Sequence, residues 1–147
     1  MPREYYEPYQ KHVDFMIQGY EDIINSKVSK YITAVAHPFE AVCCPYDREI
    51  LIDMIPDDTF RRLFDKTAEK GIAFEINVAY MNDFKKSYDE VAQSAQIRMF
   101  RIAKECGCKF IFGSDAHKNT EHEKYGTAQF LADLLEIEEK DIIEIAK

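Results

Sequence analysis

The sequence predicts an α/β fold of about three parallel strands with flanking helices, and two observations carry that reading. Three short apolar runs, Tyr31–Ala36, Ile72–Val78 and Lys109–Phe112, are each preceded by a segment whose apolar residues recur at helical spacing. Strand and helix therefore alternate, and such alternation builds a parallel sheet with helical crossovers. A third observation points to the functional edge. Each run delivers polar groups at its end: His37 after the first, Glu75 with Asn77 in the second, Asp115 and His117 after the third.

The elements follow in order. A first helix is expected over Tyr9–Ser26, where Val13, Met16, Ile17, Tyr20, Ile23 and Ile24 share one stripe. His12 lies at the edge of that stripe and reads as a surface or boundary residue. The apolar run Tyr31–Ala36 predicts a strand buried on both faces. A short helix is expected over Arg48–Met54. Pro56 in a first turn, with Asp57 and Asp58 at the positive helix end, starts another. Phe60, Leu63, Phe64, Thr67 and Ala68 form its inner face, and Gly71 suits its C-cap before the second strand. One long helix is predicted over Ser87–Cys106, from the stripe Val91, Ala95, Met99, Ile102 and Cys106. Gly107 ends it, the third strand follows, and closing helices are expected over Glu121–Leu135 and Glu138–Ala146.

At 147 residues the chain is most simply one domain, spanning 1–147 and large enough to bury a core. A hydrophobic share of 46% beside 31% charged residues reads as globular rather than disordered. The net charge of -8 repels phosphate backbones and anionic membranes, so neither nucleic acid nor a membrane is expected as partner. No apolar stretch approaches the roughly 20 residues of a membrane span. The start Met1-Pro2-Arg3-Glu4-Tyr5-Tyr6 lacks the apolar segment of a signal peptide, and a cytoplasmic location is expected. The adjacent pair Cys43-Cys44 and the C-x-C of Cys106 and Cys108 do not have the C-x-x-C spacing usual in structural zinc sites. They read as reduced, partly buried thiols.

The strand ends carry the chemistry. Imidazole nitrogen and carboxylate oxygen suit borderline divalent ions such as Zn, Mn or Fe. In extended backbone, residues i and i+2 point the same way, so Asp115 and His117 can face one ion and His37 can complete three ligands. An ion held so lowers the pKa of bound water towards about 7. Glu75, Asn77 and Ser114 are placed to fix imidazole tautomers and ligand angles. Each position also has a plainer reading. His37-Pro38 makes a turn, Asp115 caps a following helix, and Glu75 is satisfied by hydrogen bonds or a basic neighbour. Lys118, Lys85 and Lys86 are candidates for a phosphate contact or simply solvated, and His122 reads as a helix-start residue more readily than a ligand.

Taken together, Ala34-Val35-Ala36-His37-Pro38, Phe74-Glu75-Ile76-Asn77 and Gly113-Ser114-Asp115-Ala116-His117 resemble the PHP (polymerase and histidinol phosphatase) family, nearest its histidinol-phosphatase-like branch. The resemblance covers nearly the whole chain, corresponds to the C-terminal portion of that domain, and is most specific in the Gly-Ser-Asp-Ala-His segment. It implies part of a distorted (β/α)7 barrel that binds divalent metal ions at the C-terminal strand ends and hydrolyses phosphoesters. On it, His37, Asp115 and His117 match metal ligands, with Asp115 and His117 at the catalytic centre. Glu75 and Asn77 match the strand motif lining the site, and Lys118 beside it stays the candidate for substrate phosphate that its charge and place suggest. The family's N-terminal half opens with His-x-His, and this chain has none.

Three strands cannot close a barrel, and open edges invite pairing. A homo-oligomer or a missing N-terminal half is therefore expected. The leading functional expectation is a metal-dependent phosphoesterase acting on a small phosphorylated metabolite, incomplete as an isolated chain. The alternative is a non-catalytic metal- or phosphate-binding remnant, or a subunit completing a partner's site. A nuclease or polymerase-editing role fits the acidic charge poorly.

Overall fold

The structure, a computed structural model, describes residues 8–40, 48–78, 87–116 and 125–144. Within them the fold is α/β, with a three-stranded sheet in the order β1-β2-β3. β1 is Ala34–Val35, β2 is Ala73–Asn77 and β3 is Phe110–Gly113. Both pairings are parallel, with Val35 opposite Phe74 and the four residues Phe74 to Asn77 opposite Phe110 to Gly113.

Helix α1, Tyr9–Asn25, buries Val13, Met16, Tyr20 and Ile24 at spacings of one helical turn. His12 is also buried there, 2% exposed, which corrects its reading as a boundary residue. The expected strand over Tyr31–Ala36 shrinks to two residues. A 3₁₀ turn over Ser29–Tyr31 consumes the preceding backbone groups locally, with Tyr31 N–H on the Val28 carbonyl at 2.9 Å. Tyr31 is left 76% exposed beneath the Lys30 ammonium, so burial on both faces fails for that end of the run.

The short α2 spans Arg48–Asp53 and α3 spans Asp57–Glu69. Pro56 sits at the N-cap of α3, one residue before its first turn, and Asp57 and Asp58 lie at the positive end of the helix. The Arg98 guanidinium ties these helices together: it donates to the Ile52 carbonyl at 2.9 Å and the Ile55 carbonyl at 3.2 Å, and pairs with Asp57.

The predicted long helix is two helices, α4 at Tyr88–Ala92 and α5 at Ala95–Glu105. Ser87 and Glu90 form a reciprocal capping box, and Ser94 accepts the Ile97 N–H at 3.3 Å as a second N-cap. A side chain that satisfies a helix's first donors competes with continuation from the preceding turn. Helix α6 is Tyr125–Leu134, while residues 121–124 of the expected helix lie outside the described residues.

Over residues 138–144, the last expected helix, Glu138–Ala146, is replaced by a 3₁₀ turn at Glu139–Asp141 followed by extended chain, while 145 and 146 lie outside the described residues. Ile142 bridges to Phe110 in parallel, and Ile143 N–H donates to the Phe110 carbonyl at 3.0 Å. The β-branched pair thus partly covers the outer edge of β3. On β2, the fully buried Phe74 ring meets Phe64, Phe100 and Phe110 edge-on at centroid distances of 5.1, 5.8 and 6.4 Å. This aromatic cluster fastens the sheet to α3 and α5. No described helix is long and apolar enough to cross a membrane.

Candidate functional site

In a parallel sheet, ligands are met at the carboxyl ends of the strands, where side chains and loops leave the packed layer. Five polar residues from three separate parts of the sequence arrive there. His37 lies two residues beyond β1, Glu75 and Asn77 are on β2, and Ser114 and Asp115 follow β3 directly. Glu75 and Asn77 are two apart on one strand and so face the same side.

Glu75 is the hinge of this arrangement. One carboxylate oxygen accepts the backbone N–H of His37, spanning from β2 to the end of β1. The other side of the carboxylate lies over Gly113, on β3. A β-carbon there would fall 2.7 Å from the Glu75 carboxyl carbon. Gly113 has no unusual φ, so this glycine serves close approach rather than backbone freedom. One side chain on the central strand thus touches the ends of both neighbours.

The backbone is strained on both sides of it. His37 has φ 31° and Asp115 has φ 46°, in the left-handed region that costs a non-glycine residue about 1–2 kcal/mol. Phe39, at φ 60°, is held there by stacking on Tyr20 at 4.7 Å and edge contacts to Phe60 and Phe64. Strain of this kind persists where the surroundings over-determine a geometry, as functional sites do.

A carboxylate the sequence reading did not single out belongs to the same edge. The Glu40 side chain is 6% exposed, paired with Arg48 at 3.0 Å and reached by the Gln96 amide at 3.4 Å. Burial raises its carboxyl above the ordinary range. Arg48 and His37 oppose that rise, and the neighbouring Glu75 charge adds to it. Its position three residues after His37 was the available sequence signal, but its burial depends on Arg48 and Gln96.

His117 and Lys118 lie outside the described residues, as do Lys85, Lys86, His122, Cys43 and Cys44. The donors at the strand ends have the nitrogen and oxygen chemistry that Zn, Mn or Fe accepts. Among the described residues, however, no three His, Cys, Asp or Glu side chains group closely enough to hold an ion, so His37, Glu75 and Asp115 do not make a complete set. Cys106 and Cys108 take no part. Cys106 is half-buried, Cys108 is buried, and burial pushes their thiols up to about 11 and about 12. No protein-family model, curated protein or solved structure matches this chain.

Proposed function

We propose that this chain carries part of a metal-dependent phosphoesterase site of the histidinol-phosphatase-like PHP type, acting on a small phosphorylated metabolite. The observation that supports it most is the Glu75 carboxylate held against both the His37 N–H and Gly113, which ties together the two strand ends bearing His37 and Asp115. On this reading the chain is part of a (β/α) barrel. The outer edge of β1, unpaired by any other strand among the described residues, is then where a second copy or an N-terminal half would join.

The roles divide by position. His37, Asp115 and His117 would hold a divalent ion, whose chemistry when bound is to activate water and polarise a phosphoryl oxygen. Glu75 fixes the backbone at His37, and so the angle from which that imidazole leaves β1. Asn77 and Ser114 flank the ligands, and Lys118 would meet substrate phosphate.

Metal content of the purified protein by plasma mass spectrometry tests the reading, with His37→Ala, Asp115→Ala and His117→Ala alongside. Near-stoichiometric Zn, Mn or Fe, lost in each variant and accompanied by metal-stimulated hydrolysis of an aryl phosphate, is the expected result. Absence of metal in every protein even after loading would overturn it. Bound metal without turnover would favour a non-catalytic binding subunit.

A further inference from the structure

We propose that the cleft between α1 and the end of β1 is a binding pocket for a small molecule with an apolar ring and one hydrogen-bonding group, which meets His12. The cleft has a volume of about 310 Å³, at the small end of ligand pockets. Its walls are mainly apolar, with Phe15, Met16, Ile23 and Val35 among them, and His12, His37 and Glu40 contribute its polar groups.

Two independent features mark it as a site rather than a packing fault. The first is His12. The residue is 2% exposed, yet its Nδ1 has no hydrogen-bond partner among the described residues. Burial lowers its pKa, which keeps the imidazole neutral, with one donor and one acceptor. A buried polar atom left unmatched is costly, and a ligand group that meets it removes the cost.

The second feature is Gly19. It stands in the middle of α1, where glycine is among the least favourable residues for a helix. Its φ is not in the left-handed region, so the backbone does not demand glycine. A β-carbon there would meet no atom within 4 Å, so packing does not demand it either. What a side chain at this position would occupy is the cleft that Gly19 lines. The open space and the residue with the unmatched imidazole thus line the same cleft, about two helical turns apart on one face of α1. The inference does not use the phosphoesterase reading, although the cleft shares His37 with that site.

The test uses p-cresol, whose hydroxyl both donates and accepts, against toluene, which matches it in shape without the hydroxyl. Titrations of the ¹⁵N-labelled full chain are followed by amide shifts. Saturable shifts confined to residues around α1 and the end of β1 are expected, with p-cresol preferred roughly fivefold, the worth of one neutral hydrogen bond. His12→Phe should keep toluene binding and erase the preference. Gly19→Leu should abolish binding of both while keeping or raising the melting temperature. Non-saturating or scattered shifts, a preference that survives His12→Phe, or undiminished binding to folded Gly19→Leu would each overturn the proposal. If His12→Phe does not fold, the Gly19→Leu titration decides alone.

Discussion

Replacing Gly113 with alanine should reveal the Glu75 carboxylate as an energetic link between strands. The new methyl group would lie 2.7 Å from the carboxyl carbon, so the carboxylate must swing away and release the His37 N–H. A charge-assisted hydrogen bond contributes about 1.5–3 kcal/mol. Because Glu75 is half-buried and His37 exposed, the low end, about 1.5 kcal/mol, applies. Against this, alanine in a strand gains about 0.5–1 kcal/mol over glycine by restricting the unfolded chain. Gly113→Ala should therefore destabilise the native protein by only about 0.5–1 kcal/mol. In a Glu75→Ala background, where nothing occupies the space, the same change should stabilise by about 0.5–1 kcal/mol. Urea unfolding of the four proteins, followed by circular dichroism, gives the coupling energy directly. A value near 1.5 kcal/mol is expected. Additivity within about 0.5 kcal/mol would mean that the carboxylate does not rest on Gly113, and the link between strand ends would be gone.

Three further outcomes follow from the packing and the buried titratable groups. Phe74→Ala empties the centre of the aromatic cluster and should cost about 3–5 kcal/mol in urea unfolding; a loss below about 1.5 kcal/mol would deny Phe74 that place. Arg98→Met removes the guanidinium from the Ile52 and Ile55 carbonyls and Asp57, and should cost about 2 kcal/mol. Arg98→Lys should recover less than half of that, since an ammonium cannot span the same acceptors, and full recovery would refute the clamp. Alkaline pH should destabilise the fold. Burial holds the Cys108 thiol up to about 12 and the Cys106 thiol to about 11, and raises the Tyr20 phenol. Folding therefore favours their protonated forms. The contribution is fully present below the ordinary thiol range near about 8.5 and is lost as pH rises through the raised values. Unfolding midpoints at pH 7, 9 and 10 should fall in order, less steeply in Cys108→Ala, whereas a flat profile would contradict the burial argument.

What was legible in the sequence was local. The inner face of α3 needs only helical periodicity in Phe60, Leu63, Phe64 and Thr67, and all four are buried as that pattern requires. The parallel order follows from alternation, and it holds across all three strands. The misreadings arose where local apolar content was opposed by a partner or a cap. Ile142 and Ile143 continue a helical pattern on paper, but the open edge of β3 offers them backbone partners. The stripe through Ala95 and Met99 runs unbroken past Ser94, yet that hydroxyl caps a new helix. Of the site, the arrival of His37, Glu75, Asn77, Ser114 and Asp115 at one edge of the sheet was legible, because each ends or follows one of the three apolar runs. Glu40 and His12 were not, because their burial is set by chain segments distant in sequence.

An all-parallel sheet also governs how this chain must assemble. Each strand's partner lies about forty residues along the chain, so no two-strand unit forms early, and folding should be slow compared with a helical bundle. Until α5 and β3 have formed, the apolar segment Ala73 to Asn77 has no neighbour on that side and is available to another molecule's copy of itself. The one charge in that segment is Glu75, and a charge inside an apolar strand is a known guard against intermolecular stacking. The carboxylate that joins the strand ends in the finished protein would then also keep unfinished molecules apart, and Glu75→Val should raise light scattering during refolding from urea. Scattering no higher than that of the unaltered protein would show that protection during assembly comes from elsewhere.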